Sequence, residues 1–352
     1  MSSGWISSSG PAVKKFEDSW SKFCDRKYGV AVANGTAALE LVVRALDIGP
    51  GDEVIIPSFT IISCASAIVL AGATPVVVDV DFQSGCIDTE LVEKAITSKT
   101  KAIMAVHIYG YAAEISKLAD IAARRNLLLI EDAAEMHGGE VSDADGTWRK
   151  IGSFGVASTF SFFINKVITT GEGGMILTDD HVVYEKLLLL RNLGFTQPRY
   201  LHSSQGFNYR MTALQASLAI PQIQRIQEIL EMKRKISNYY SESFQKLKNK
   251  ITTPNYPENI KSSYWVYPVV CNSEKDRDEL AKYLLSKGIE TRNFFIGMHE
   301  QPILKGKIRL YGDFNNTELL GSRGLYLPSG VGLAKDEQDF VIQEVMAFFQ
   351  KV

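Results

Sequence analysis

The sequence predicts an α/β protein. A large domain, residues 1–230, is built on a mostly parallel seven-stranded sheet, and a smaller α+β domain, residues 231–352, follows it. Three observations carry this expectation. Short apolar, β-rich runs alternate with helical patterns through the first two thirds of the chain. Several of those runs are apolar throughout, as strands covered on both faces must be. After residue 210 the alternation stops, and long helical segments take over.

The elements follow in order. Seven runs read as strands: YGVAVAN (28–34), DEVIIPS (52–58), TPVVVDV (74–80), KAIMAVHIYG (101–110), NLLLIEDA (126–133), SFGVASTFSF (153–162) and GGMILTD (173–179). Between the earlier ones lie helical patterns: TAALELVVRAL, IISCASAIVLAG, DTELVEKAIT and EISKLADIAARR. The stretch from Met211 to Leu247 reads as one long helical region, bent or broken near Pro221. A strand (264–271), a helix (277–288) and a final helix near 336–350 complete the smaller domain.

Composition narrows the function. The chain has 352 residues, a formal net charge of -2 and 22% charged residues, so no basic excess points to nucleic acid. Cys24, Cys64, Cys86 and Cys271 are scattered, with no metal-ligand spacing, and read as reduced, mostly buried thiols of a cytoplasmic protein. The start, MSSGWISSSG, lacks the charged beginning and apolar run of a signal peptide. The most membrane-like stretch, Ile61 to Val80, holds Ser63, Ser66, Gly72 and Pro75 and reads as a helix followed by a strand. No metal and no membrane is expected.

Open α/β sheets bind ligands beyond the carboxyl ends of their strands, and the residues there are informative. Asn34, Gly35 and Thr36 open a helix after the first strand. They make either a phosphate cradle or a plain helix cap. Glu131 and Asp132 end a buried strand. Asp132 either faces a cationic ring nitrogen or serves as a cap or structural ion pair. His107 at another strand end is either a ligand contact or structural. Lys166 lies between an aromatic run and the glycine-rich ITTGEGG. In an apolar site it becomes an amine nucleophile; at a sheet edge it merely snorkels. The set decides between these readings. A phosphate cradle at a helix start, a strand-end Asp and then a strand-end Lys, in that order, are the parts that hold pyridoxal 5'-phosphate (PLP).

With the stretches WISSSGPAVKKFE, VANGTAALELVVRALDIGPGDEVIIPSFT, IEDAAEMHGG, GSFGVASTFSFFINKVITTGEGGMILT, FNYRMTALQASLA and GMHEQP, the chain resembles the DegT/DnrJ/EryC1/StrS family of sugar-nucleotide aminotransferases over nearly its whole length. The resemblance implies a type I, aspartate aminotransferase-like fold and PLP as cofactor. It implies Lys166 as the Schiff-base lysine, Asp132 as the partner of the pyridine nitrogen and Glu135 as a residue near the ring oxygen. Phe59 matches an aromatic that stacks on the ring, and Gly35, Thr36 and Ser161 match phosphate-holding positions. Asn208 matches an asparagine that reaches the phosphate of a neighbouring subunit, which implies a homodimer with shared active sites. His299 matches a position near the sugar nucleotide, and Trp5 belongs to the same pocket.

The implied reaction moves an amino group from L-glutamate to C4 of a nucleotide-linked 4-keto-6-deoxy sugar. SFFINKVITTGEGGM together with EDAAE is most similar to members that use GDP-4-keto-6-deoxy-D-mannose; UDP- and dTDP-linked sugars are the alternative. Relatives that act as 3-dehydratases carry His where Lys166 stands. Retention of Lys166, Asp132 and Thr36 argues against a non-catalytic member. IGPGD (48–52) lacks the spacing of a dinucleotide fingerprint. Few residues precede Trp5, where many members carry more, so part of the nucleotide pocket is expected to be built differently. Ile164 and Met298 depart from the residues common at their positions, both near the expected substrate site.

Overall fold

The computed structural model describes residues 4–143, 145–198 and 200–351. The seven predicted strands form as β1 (Tyr28–Val32), β2 (Glu53–Pro57), β3 (Thr74–Val78), β4 (Thr100–Val106), β5 (Leu128–Asp132), β6 (Ala157–Ser161) and β7 (Gly174–Thr178). An eighth, β8 (Arg309–Leu310), joins the edge beside β3, giving the order β1-β7-β6-β5-β4-β2-β3-β8. Two residues of strand from the far end of the chain have no periodicity to read, which is why seven were expected. β7 runs antiparallel to both its neighbours, and the other pairings are parallel.

Helices cover the sheet because the strands have no polar face to show water. β2 and β7 are buried at every position. α1 (Pro11–Phe23) buries Phe16 and Trp20, and α2 (Gly35–Ala45) buries Ala38, Leu41, Val42 and Val43. α3 (Ile62–Leu70), α4 (Thr89–Ala95) and α5 (Ile115–Arg125) occupy crossovers between parallel strands, and α6 (His181–Arg191) follows β7. Each fully buried Leu, Ile or Phe contributes about 1.5–3 kcal/mol of transfer free energy.

The long helical region is two helices, α7 (Ala213–Gln224) and α8 (Ile226–Ser243). Pro221 lies inside α7, and the break falls at Arg225. A single proline removes one backbone hydrogen bond, and here the helix survives that loss for one more turn. Beyond α8 a four-stranded antiparallel sheet has the order 251–252, 267–271, 324–327, 292–293. A second apolar cluster lies here and includes Ile236, Tyr240, Tyr267, Leu280, Leu325 and Val345.

Candidate active site

The carboxyl ends of β1, β4, β5 and β6 open on one cavity of about 600 Å³. Six sequence-predicted residues line it together: Gly35, Thr36, Asp132, Glu135, Ser161 and Lys166, with His107 beside them.

The cradle comes from the start of α2. Asn34 is the cap, and its side chain accepts the Ala37 N–H at 2.8 Å. Capping leaves the Gly35 and Thr36 end of the helix for an anion, where the helix dipole favours negative charge. Gly35 is required by packing: a Cβ there would sit 2.9 Å from Ser161 Cβ. The Thr36 hydroxyl pairs with Ser63 Oγ at 2.8 Å.

Asp132 ends β5 and is buried. Its Oδ1 accepts the Ala134 N–H at 3.1 Å, and its Oδ2 lies 3.2 Å from Cys64 Sγ. Its neighbour Glu131 points away from the cavity. It accepts the N–H groups of Gly152, Phe154 and Gly155, and its Oε2 lies 3.4 Å from His107 Nε2. Burial opposes its charge, yet His107 and these backbone donors hold its carboxyl below the usual range. The Ala113 N–H donates to His107 Nδ1 at 3.2 Å, so the ring proton is on Nε2. His107 is therefore a structural partner of Glu131 that also forms part of the cavity wall.

Lys166 does not end a strand. It sits in the loop that joins the antiparallel pair β6 and β7. That loop is closed at its base by Phe162 N–H to Gly173 O at 2.8 Å and Thr170 N–H to Phe162 O at 2.9 Å. Lys166 Nζ lies 3.4 Å from Glu135 Oε1 and 3.6 Å from the centre of the Trp265 ring. The Trp265 indole N–H is tied to Asn165 O at 2.7 Å. Burial lowers the Lys166 pKa, and Glu135 opposes that shift. Burial raises the Glu135 carboxyl, while Lys166 and the Tyr109 N–H act the other way. The result is a primary amine whose neutral form is accessible, held against a carboxylate and an aromatic face.

The other predicted residues stand elsewhere. Phe59 does not line this cavity. It is buried among Tyr109, Phe294 and Phe295 and faces a separate small cavity. The chain turns after β2, so Ile61 lines the cavity instead. His299 is also outside it: Nδ1 bonds Ser58 Oγ at 2.7 Å and the ring stacks on Phe314. Asn208 faces Arg210, whose Nη2 donates to its Oδ1 at 2.7 Å, and Trp5 is 60% exposed; neither lines the cavity. Met298 is buried, while Ile164 lines a neighbouring cleft on the far side of Lys166. Trp265, Tyr209, Phe295 and Tyr326 line the cavity without a sequence signal of their own, because they arrive from distant segments.

A family model described as the DegT/DnrJ/EryC1/StrS aminotransferase family matches residues 1–346. The chain belongs to that family. It is 40% identical over 345 residues to the GDP-perosamine synthase of Caulobacter vibrioides, a match covering 97% of this chain and 91% of that protein. The GDP-perosamine synthase of Escherichia coli O157:H7 is 36% identical over 350 residues, covering 99% and 93%. Among solved structures, Spr1654 from Streptococcus pneumoniae in its PLP form superposes with a TM-score of 0.91 at 26% identity, covering 99% of this chain and 93% of that one. The same protein is also solved in a PMP form. The chain is thus a PLP-dependent sugar aminotransferase with the type I fold.

The residues present fit the cofactor. A helix start kept open by glycine suits a phosphate dianion, a buried carboxylate suits a protonated pyridine nitrogen, and the amine of Lys166 suits the aldehyde; all line one cavity. Among the described residues no cluster of three or more His, Cys, Asp or Glu could hold a metal ion.

Proposed function

We propose that this chain transfers the amino group of L-glutamate to C4 of GDP-4-keto-6-deoxy-D-mannose, giving GDP-perosamine for glycan synthesis. The observation that carries the transamination is the convergence of Thr36, Asp132, Glu135 and Lys166 on one cavity. The choice of GDP sugar rests on the two GDP-perosamine synthases at 40% and 36% identity.

Bound PLP takes up the electrons left on carbon when a substrate C–H bond breaks. This chain's residues do the rest. Gly35, Thr36 and Ser161 hold the phosphate, and Asp132 holds the ring nitrogen. Lys166 bonds the cofactor at rest. Once displaced, its Nζ would take the proton from Cα of glutamate and pass it to the cofactor; with the keto sugar bound it would take a proton back and deliver it to C4. Glu135, 3.4 Å from Nζ, would steady the ammonium that forms transiently in each half-reaction.

We also infer a homodimer. Asn208 lies outside its own chain's cavity. Ile6, Leu214 and Leu218 are exposed apolar residues, with Leu214 N–H on Ile6 O at 3.4 Å and Leu218 one turn further along α7. We infer that a second copy covers this face, with Asn208 serving the partner's phosphate as the family resemblance implies. A division at 230/231 is proposed, supported by the second apolar cluster, in which Ile236 is the first residue; the cut falls within α8, and β8 returns to the main sheet. A cytoplasmic location is proposed on the same substrate class; among the described residues no helix is long and apolar enough to cross a membrane.

The test is a panel of GDP-, UDP- and dTDP-linked 4-keto-6-deoxy sugars, each with glutamate and PLP-loaded protein. Mass spectrometry follows the amino sugar, and coupled assay follows 2-oxoglutarate. The GDP sugar is expected to give the highest kcat/KM. Preference for a UDP or dTDP sugar overturns the nucleotide, and no 2-oxoglutarate with any sugar overturns the reaction.

A further inference from the structure

Cys64 is the third residue of α3, a helix whose first turn borders the cavity through Ser63. The thiol itself is fully buried behind that wall. Its sulfur lies 3.2 Å from Asp132 Oδ2 and 3.3 Å from Thr60 Oγ1. Cys86, by contrast, is directed at the carbonyls of Ser84 and Tyr111, at 3.8 and 3.6 Å.

The proton positions follow from chemistry. Burial, and then the charge of Asp132, push the Cys64 thiol well above its ordinary pKa, so sulfur keeps its hydrogen. An ionised carboxylate can only accept. The S–H therefore points at Oδ2. Sulfur has one proton to give, so the Thr60 hydroxyl must donate to sulfur. The three groups form a one-way chain from Thr60 through Cys64 to Asp132. Oδ1 is occupied by the Ala134 N–H, so both oxygens of the carboxylate are held from behind.

We propose that Cys64 is a positioning residue for Asp132: its thiol fixes the carboxylate's orientation and sets how much negative charge it presents to the cofactor's ring nitrogen. The proposal rests on the reading of Asp132 given above. A thiol is a weak donor. It holds the oxygen in place while withdrawing little charge, where a hydroxyl in the same place would withdraw more. The Asp132 carboxylate thus keeps most of its negative charge for the ring nitrogen, although it is buried and doubly hydrogen-bonded.

Two measurements on the full chain test this. The first is the infrared S–H stretch of the protein without cofactor. Cys64→Ala identifies the Cys64 band by its loss, and Asp132→Asn is expected to shift that band toward the weaker hydrogen bonding of a neutral acceptor. The second is nitrogen-15 NMR of the protein loaded with ring-labelled PLP. Cys64→Ser, a stronger donor, is expected to move the ring nitrogen toward its unprotonated resonance. Cys64→Ala, with no donor, moves it the other way. A merely structural role would move both variants alike or neither.

A thiol band unaffected by Asp132→Asn, or Cys64 variants that leave the nitrogen resonance unmoved, overturns the proposal. If Asp132→Asn alone moves the nitrogen, the reading of Asp132 stands and Cys64 falls. If the thiol band shifts but the nitrogen ignores Asp132→Asn, the contact is real and the reading of Asp132 fails.

Discussion

Replacing Glu135 by Gln removes one charge 3.4 Å from Lys166 Nζ while keeping the side chain's shape. At that distance and an effective dielectric constant of about 20, the attraction amounts to about 5 kcal/mol. Burial of Glu135 raises its own pKa and takes back much of this. If somewhat over a quarter survives, the effect is about 1.4 kcal/mol, or about one pH unit on the lysine. The sign is fixed by the causes. Burial lowers the Lys166 pKa, and Glu135 pulls it back up. Without that pull, the neutral amine appears at lower pH. Only the neutral amine attacks the PLP aldehyde. The assay is the rate of PLP capture by cofactor-free protein, followed by absorbance from pH 5 to 9. The acid limb is expected to shift down by about one unit in Glu135→Gln. An unmoved limb, or one shifted upward, refutes the account of this pair.

Three further outcomes follow from the geometry. Gly35→Ala forces a Cβ to within 2.9 Å of Ser161 Cβ at the cradle, and should weaken PLP affinity tenfold or more, about 1.4 kcal/mol, in equilibrium dialysis, with the circular dichroism spectrum unchanged. Burial lowers Lys233 to about 7 from 10.5, where its ammonium donates to the Ser329 carbonyl; the unfolded chain binds that proton first, so wild-type stability in urea should rise with pH between about 7 and 10.5, and Lys233→Met should flatten the rise. Leu218→Glu puts a charge on the exposed apolar face of α7; sedimentation is expected to show monomers, with PLP held less tightly, and an unchanged dimer would place the interface elsewhere.

Much of the fold was legible because strands buried on both faces are written as unbroken apolar runs. β2, at EVIIP, and β5, at LLIED, are examples, and all seven runs became strands of the main sheet. The four cysteines, expected to be buried thiols, are buried and free. The cavity was legible only in part. Gly35, Asp132 and Ser161 sit at the edge of local elements, so their direction follows from the strand or helix they terminate. Phe59 shows the limit: it follows β2 by two residues, and the turn there decides which side chain faces the cavity. The turn turns Ile61 inward and buries Phe59 behind it. Trp265 sits 3.6 Å from Lys166 Nζ although 99 residues separate them in sequence, and no periodicity marks such a contact. Cys64 read as one more buried thiol because its partner, Asp132, lies across the sheet edge from it.

The central claim is that Lys166 is the amine that holds the cofactor. PLP-loaded protein reduced with borohydride carries the phosphopyridoxyl group permanently, and peptide mass spectrometry locates it. The account predicts the added mass on Lys166 alone, in the peptide containing FINKVITTGEGG, and its disappearance in Lys166→Ala. A label on another lysine, or undiminished labelling and turnover in Lys166→Ala, would contradict it.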